Sequence, residues 1–190
     1  MTRPQQNVAI AVIGLVTMLL APLVLPVEIV WTLVGVAWGV SLVAFVARGP
    51  YGKARVLLRD KQYEAAFEAL REFEALVTAQ AWRRSLAFLY TGFQTANPLA
   101  LARGYQGVAR LEQGRLSEAE ALLVSALQLD PDYCLPWANR AIVAALLGDE
   151  PKARAHADTA RALGFTDARF DGVLSDALTK GRPSASPSGS

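Results

Sequence analysis

The chain has 190 residues, 53% of them hydrophobic, and a formal net charge of +2 with acids and bases interspersed. That balance leaves no basic footprint of the kind nucleic-acid binding needs. Cys134 is the only cysteine, which excludes an internal disulfide and any multi-cysteine metal site.

The apolar excess sits at the N-terminus. Two uncharged runs of 18 residues, 8–25 and 29–46, would each extend roughly 27 Å as a helix, about the thickness of a bilayer core. Only Arg3 precedes them, and Pro22 and Pro26 stand where a small-x-small cleavage site would follow a signal peptide. The expectation is an uncleaved two-helix transmembrane hairpin over 1–48. A re-entrant arrangement competes with it, because the runs are short and the link Pro26-Val27-Glu28 is tight. Glu28 is the only charge in the link, whereas Arg3, Arg48, Lys53, Arg55, Arg59 and Lys61 flank the runs, so both termini are expected on the cytoplasmic side. The basic cluster reads first as a topology signal and second as a site for anionic headgroups. Trp31 suits the interface, and Trp38 is expected to pack against the first run. Gly35, Trp38 and Gly39 form a face that permits close helix contact.

Gly49-Pro50 breaks the second run. Beyond it, Val56, Leu57, Tyr63, Ala66, Phe67, Leu70, Phe73, Leu76 and Val77 recur at helical spacing, with no strand-like alternation. A further helix is expected over 82–95, ending before Asn97-Pro98. Its aromatic content (Trp82, Phe88, Tyr90, Phe93) demands burial. The Pro- and Ser-rich tail, 182–190, is expected to be disordered.

Between Ala100 and Phe165 the chain matches itself at an offset of 34: Gly104 with Ala138, Gly107 with Ala141, Gly114 with Gly148, Ala119 with Ala153, Ala126 with Ala160. Small residues at 107, 119 and 126 let two antiparallel helices approach. Gly114 turns the chain, and Asp130-Pro131 ends the pair. Each pair buries only part of its apolar surface, so pairs must stack.

These residues resemble the tetratricopeptide repeat. Units at 100–133 and 134–167 carry its small residues, turn glycines and paired alanines, and Trp137 opens the second. Arg110 departs from the usual tyrosine, and Phe165 from the terminal proline. A degenerate unit over 47–80 keeps Tyr63, Ala66 and Leu70, but Ala66 to Ala119 is 53 positions, an insertion of 19. The expected fold is all-α: the hairpin, then an antiparallel helix-pair solenoid over 51–179 of about three units, closed by a cap helix at 167–178.

The resemblance implies a protein-binding groove lined by the first helix of each unit: Leu101, Gly104, Tyr105, Val108, Leu111 and Glu112, then Leu135, Ala138, Asn139, Ile142 and Ala145. One subfamily grips acidic C-termini through lysines and asparagines. Here only Asn139 has a counterpart, so an amphipathic helix or peptide segment is the expected ligand. The segment 82–95 or the cap helix could fill the groove instead. His156, the only histidine, reads as a packing or surface residue, and no phosphate loop or catalytic triad is marked. Acid pairs such as Glu72/Glu74, Glu118/Glu120 and Asp130/Asp132 lack histidine or cysteine partners for a metal. The expectation is a non-enzymatic, membrane-anchored scaffold or assembly factor without cofactor, metal, nucleic acid or small-molecule substrate. A small structural subunit of a membrane complex is the alternative. Arginine far outnumbers lysine (Lys53, Lys61, Lys152 and Lys180 are the only lysines), which fits a GC-rich bacterial genome.

Overall fold

A computed structural model describes residues 26–85 and 94–181; the side chains of 27, 30 and 40–48 are not described. Every regular element among the described residues is a helix. They are α1 (Val27–Arg59), α2 (Tyr63–Ala79), α3 (Ala81–Ser85), α4 (Pro98–Glu112), α5 (Leu116–Leu129), α6 (Cys134–Leu146), α7 (Glu150–Ala162) and α8 (Phe170–Gly181). The chain divides into two compact units, Met1–Val46 and Ala47–Ser190.

In the first unit, the opening of α1 carries its apolar side chains outward. Ile29, Leu33 and Val36 are exposed, as are Trp31 at 68% and Trp38 at 75%. A Cβ built on Gly35 or Gly39 would meet no atom of the described residues within 4 Å. The run 8–25, against which Trp38 is expected to pack, lies outside the described residues. Among the described residues no helix is long and apolar enough to cross a membrane. The run 8–25 lies outside them, and the run 29–46 has described side chains only through Gly39, so the expected two-span hairpin is not found there.

In the second unit, α4 packs on α5 and α6 on α7, each pair joined by a tight turn. α2 packs on α4, α5 on α6, and α4 lies beside α6. The turns show why the pairs repeat. Arg115 N bonds Arg110 O around Gly114 (φ 74°), and Asp149 N bonds Ala144 O around Gly148 (φ 79°), both at 2.9 Å. These are helix ends closed by a left-handed residue that glycine adopts without a Cβ clash. The degenerate unit makes the same turn: Gln62 N bonds Leu57 O at 2.8 Å around Lys61, whose φ is 59°. A lysine thus holds the glycine's place, the same 53 positions ahead of Gly114 that separate Ala66 from Ala119.

Close approach is visible at Gly107, where a Cβ would stand 2.8 Å from Leu123. Two helix starts, those of α4 and α7, are capped by side chains. Asn97 Oδ1 accepts from Leu99 N at 3.0 Å, with Pro98 at the first position, and Asp149 Oδ1 accepts from Lys152 N at 3.1 Å.

Two expected boundaries move. The helix over 82–95 is observed only as α3; 86–93 lie outside the described residues, and Gln94–Asn97 is not helical. There Thr95 Oγ1 donates to Asp130 Oδ2 and accepts from Asn97 N, so the segment is tied to the end of α5 rather than wound. The final helix starts at Phe170 rather than 167, because Asp167 forms the preceding turn, accepting from Arg169 N at 2.9 Å. The tail 182–190 lies outside the described residues.

Candidate functional site

The residues expected to line a groove divide sharply on burial. Leu101 is fully buried with Tyr51, Leu70, Phe73 and Tyr133. Leu111 packs with Ala119, Leu123 and Val143. Ala138 and Ala145 belong to the core formed by α6, α7 and α8. Gly104 is a seat rather than a lining: a Cβ there would stand 2.9 Å from Cε1 of Tyr133. Asn139 is only 9% exposed, and its amide nitrogen donates to Leu135 O of its own helix at 2.9 Å. Leu101 and Asn139 therefore offer no surface to a partner, because the stacked neighbours cover one and the other is turned onto its own backbone.

Five of the expected residues reach the surface. Tyr105, Val108, Leu135 and Ile142 are half-buried, and Glu112 is exposed. They share one side of α4 and α6, as the helical spacing 101, 105, 108, 112 and 135, 139, 142 requires. Tyr105 is already engaged: its ring meets Tyr51 edge-on at 5.7 Å, and its hydroxyl donates to Gln94 Oε1 at 3.3 Å. Glu112 accepts from Tyr63 Oη at 3.3 Å; desolvation, then the Glu112 charge, raises the Tyr63 pKa. Ile142 lies where the α5–α6 and α6–α8 cores meet, whereas Val108 joins neither.

Buried and half-buried arginines bridge neighbouring helices. Arg110 is 6% exposed. Its Nη1 donates to Glu64 Oε2 at 2.6 Å and Gln113 Oε1 at 2.7 Å, its plane stacks 3.6 Å from the Phe67 ring, and Nε lies 3.4 Å from Glu118 Oε2, an ionic contact rather than a hydrogen bond. The hydrogen bond from Arg110 holds the Glu64 carboxyl below its usual pKa. The departure from the repeat's tyrosine is thus a planar cation serving α2, α4 and α5 together, which lysine could not do. Arg103 repeats the device about two turns away, donating to Glu74 at 3.1 Å and to Ser125 Oγ, while buried Gln106 donates to the other Glu74 oxygen at 3.1 Å. Arg140 joins Glu120 at 2.7 Å across α5 and α6.

Four of the acidic side chains serve the packing of the helices in the same way. Glu74, Glu118, Glu120 and Asp130 each hold a neighbouring helix or loop. His156 packs 5.2 Å from Trp137; burial first, then the Arg140 charge, lowers its pKa. Among the described residues no group of three His, Cys, Asp or Glu side chains could hold a metal. The Tyr133 hydroxyl is buried with no hydrogen-bond partner among the described residues, and desolvation raises its pKa well above the ordinary value, so it stays protonated.

No family model, curated protein or solved structure matches this chain. What the fold defines is an all-α stack of helix pairs.

Proposed function

We propose that this chain is a membrane-anchored scaffold or assembly factor. One side of α4 and α6 would bind a helix or peptide segment of a partner protein. The observation that carries this reading is the half-exposed strip of Tyr105, Val108, Leu135 and Ile142, edged by Glu112, on adjacent first helices. The described arginines of α4–α7 face carboxylates, so on these helices the strip offers an apolar rather than a charged surface for recognition. The resemblance to tetratricopeptide repeats supports the reading, now without Leu101 and Asn139. The anchor rests on the uncharged runs 8–25 and 29–46 and on the outward Ile29, Trp31, Leu33, Val36 and Trp38. Both termini then face the cytoplasm.

Photo-crosslinking in intact membranes tests this, with the probe at Val108 and a control probe at exposed Gln128. A partner captured from Val108 alone supports the reading. Crosslinks from Val108 only to residues 86–93 of the same chain would mean the strip is self-filled and the reading is wrong.

The outward Gly35–Trp38–Gly39 face favours a second reading, a structural subunit held by its apolar helix. Such a subunit would stay in a stoichiometric complex through purification in mild detergent, whereas a scaffold would separate.

A further inference from the structure

Gly49 (φ 33°, ψ −120°) interrupts α1, and the stretch after it has two unlike faces. Tyr51 and Ala54 are buried and Leu57 and Leu58 half-buried, so that side faces the core. At 3.6 residues per turn the opposite side runs, in angular order, Arg55, Arg59, Val56 and Lys53. All four are exposed. Val56, at 48%, is a branched apolar side chain in the middle of a cationic face. The arginines of the repeats meet carboxylates: Arg103, Arg110, Arg140 and Arg154 are examples. Here, among the described residues, no carboxylate pairs with Lys53 or Arg55, and Arg59 meets only its neighbour Asp60 at 3.3 Å with its side chain 77% exposed.

We propose that this face rests on an anionic phospholipid surface, with Lys53, Arg55 and Arg59 on headgroup phosphates and Val56 in the interface. The proposal rests on the membrane reading above and deepens it by naming the lipid class. Two observations choose lipid over other acidic surfaces. The uncharged run 29–46 ends just before Gly49-Pro50, so the same chain that would enter a bilayer delivers this helix to its edge. And Val56 stands among the cationic side chains at the place where an interfacial helix buries an apolar one. Each basic residue held near an anionic surface contributes roughly five-fold in surface affinity.

The test uses the full chain with Cys134→Ser and Val56→Cys, labelled with an environment-sensitive fluorophore. It is reconstituted into vesicles of phosphatidylcholine alone or of roughly 7:3 phosphatidylcholine and phosphatidylglycerol. The expected result is a blue-shifted, brighter probe in the anionic vesicles only. High salt should reverse it, and the added substitutions Lys53→Gln, Arg55→Gln and Arg59→Gln should abolish it. Equal emission in the two lipids overturns the proposal. So does a shift that needs native membranes, which would assign the face to a protein. Alkaline-carbonate extraction of the same vesicles reads the anchor separately. A chain that is extracted yet shifts its probe on anionic lipid defeats the integral anchor and leaves this face standing. A chain that resists extraction but shows no shift does the reverse.

Discussion

Where α2 meets α4, the contact is built from bulk and charge: Tyr51, Phe73, Leu101 and Tyr133 fill it, and Arg110 and Arg103 reach across to Glu64 and Glu74. Where α6 meets α7 and α8, it is built from alanine: Ala138, Ala141, Ala144, Ala145, Ala153, Ala157, Ala160 and Ala177, closed by Phe170 and Leu174. The same pair of helices and the same turn therefore accept two kinds of packing. In the first, large side chains define the separation of the helices. In the second, backbones approach until methyl groups touch, and the separation is set by what is missing. Strict 34-residue spacing accompanies the alanine packing, while the insertion lies on the bulky side.

The two regions should break in opposite ways. Phe73→Ala in the full chain should cost about 3–5 kcal/mol, read as a urea-unfolding midpoint by helical circular dichroism. Ala141→Leu, at the position equivalent to Gly107, should cost about 1–3 kcal/mol by overpacking. A neutral Ala141→Leu would mean that the alanine side is loose and the contrast false. Arg110→Ala should cost about 2 kcal/mol, through lost stacking on Phe67 and lost hydrogen bonds, and Arg110→Lys should recover little of it. Because the Glu64 pKa is lowered in the folded chain, its contribution is present above the unfolded value of about 4.3 and fades as pH falls through the folded one. In Arg110→Ala that acid-side loss should shrink, visible as a flatter stability profile below that pH.

Smaller effects sharpen the comparison. Lys61→Gly should raise stability by up to about 1 kcal/mol, since the left-handed conformation costs a lysine what it does not cost a glycine. A loss instead would show that the Lys61 side chain stabilises the turn. His156, with its pKa lowered by burial, takes up its proton more readily when unfolded. Stability should therefore decline as pH drops below the unfolded value of about 6.5. His156→Leu, copying Leu122 of the preceding unit, should remove that part of the slope in melting temperatures measured on either side of that pH.

The alanine side was legible in the sequence because its signal is compositional: small residues at fixed offsets, with Gly114 and Gly148 at the turns. The bulky side was not. Lys61 hides a turn that glycine would have advertised, and Arg110 looked like a lapse from a pattern until Glu64 and Phe67 were placed around it. A two-sided contact of that kind leaves no periodic trace. The groove erred for a related reason. Helical spacing gives the angular position of Leu101 and Asn139 but not the height of the neighbours that cover them, so five expected residues reach the surface and the others do not.

Gly181 carries one more consequence. It ends α8 against the end of α6, and a Cβ there would overlap the Ala145 carbonyl oxygen and stand 3.0 Å from Gly148 N. Phe170, Leu174 and Ala177 turn inward from the same helix, while Asp171, Ser175, Asp176 and Thr179 turn outward. An array of helix pairs has no inherent stop, since each end offers the next unit the surface it needs. Here the outward side is mostly polar, with Val173 exposed at 47% beside Asp176 and with Asp171 held by Arg161 at 2.6 Å. Seating that side on another apolar helix pair would desolvate its carboxylates, so α8 covers the alanine core without offering a second one.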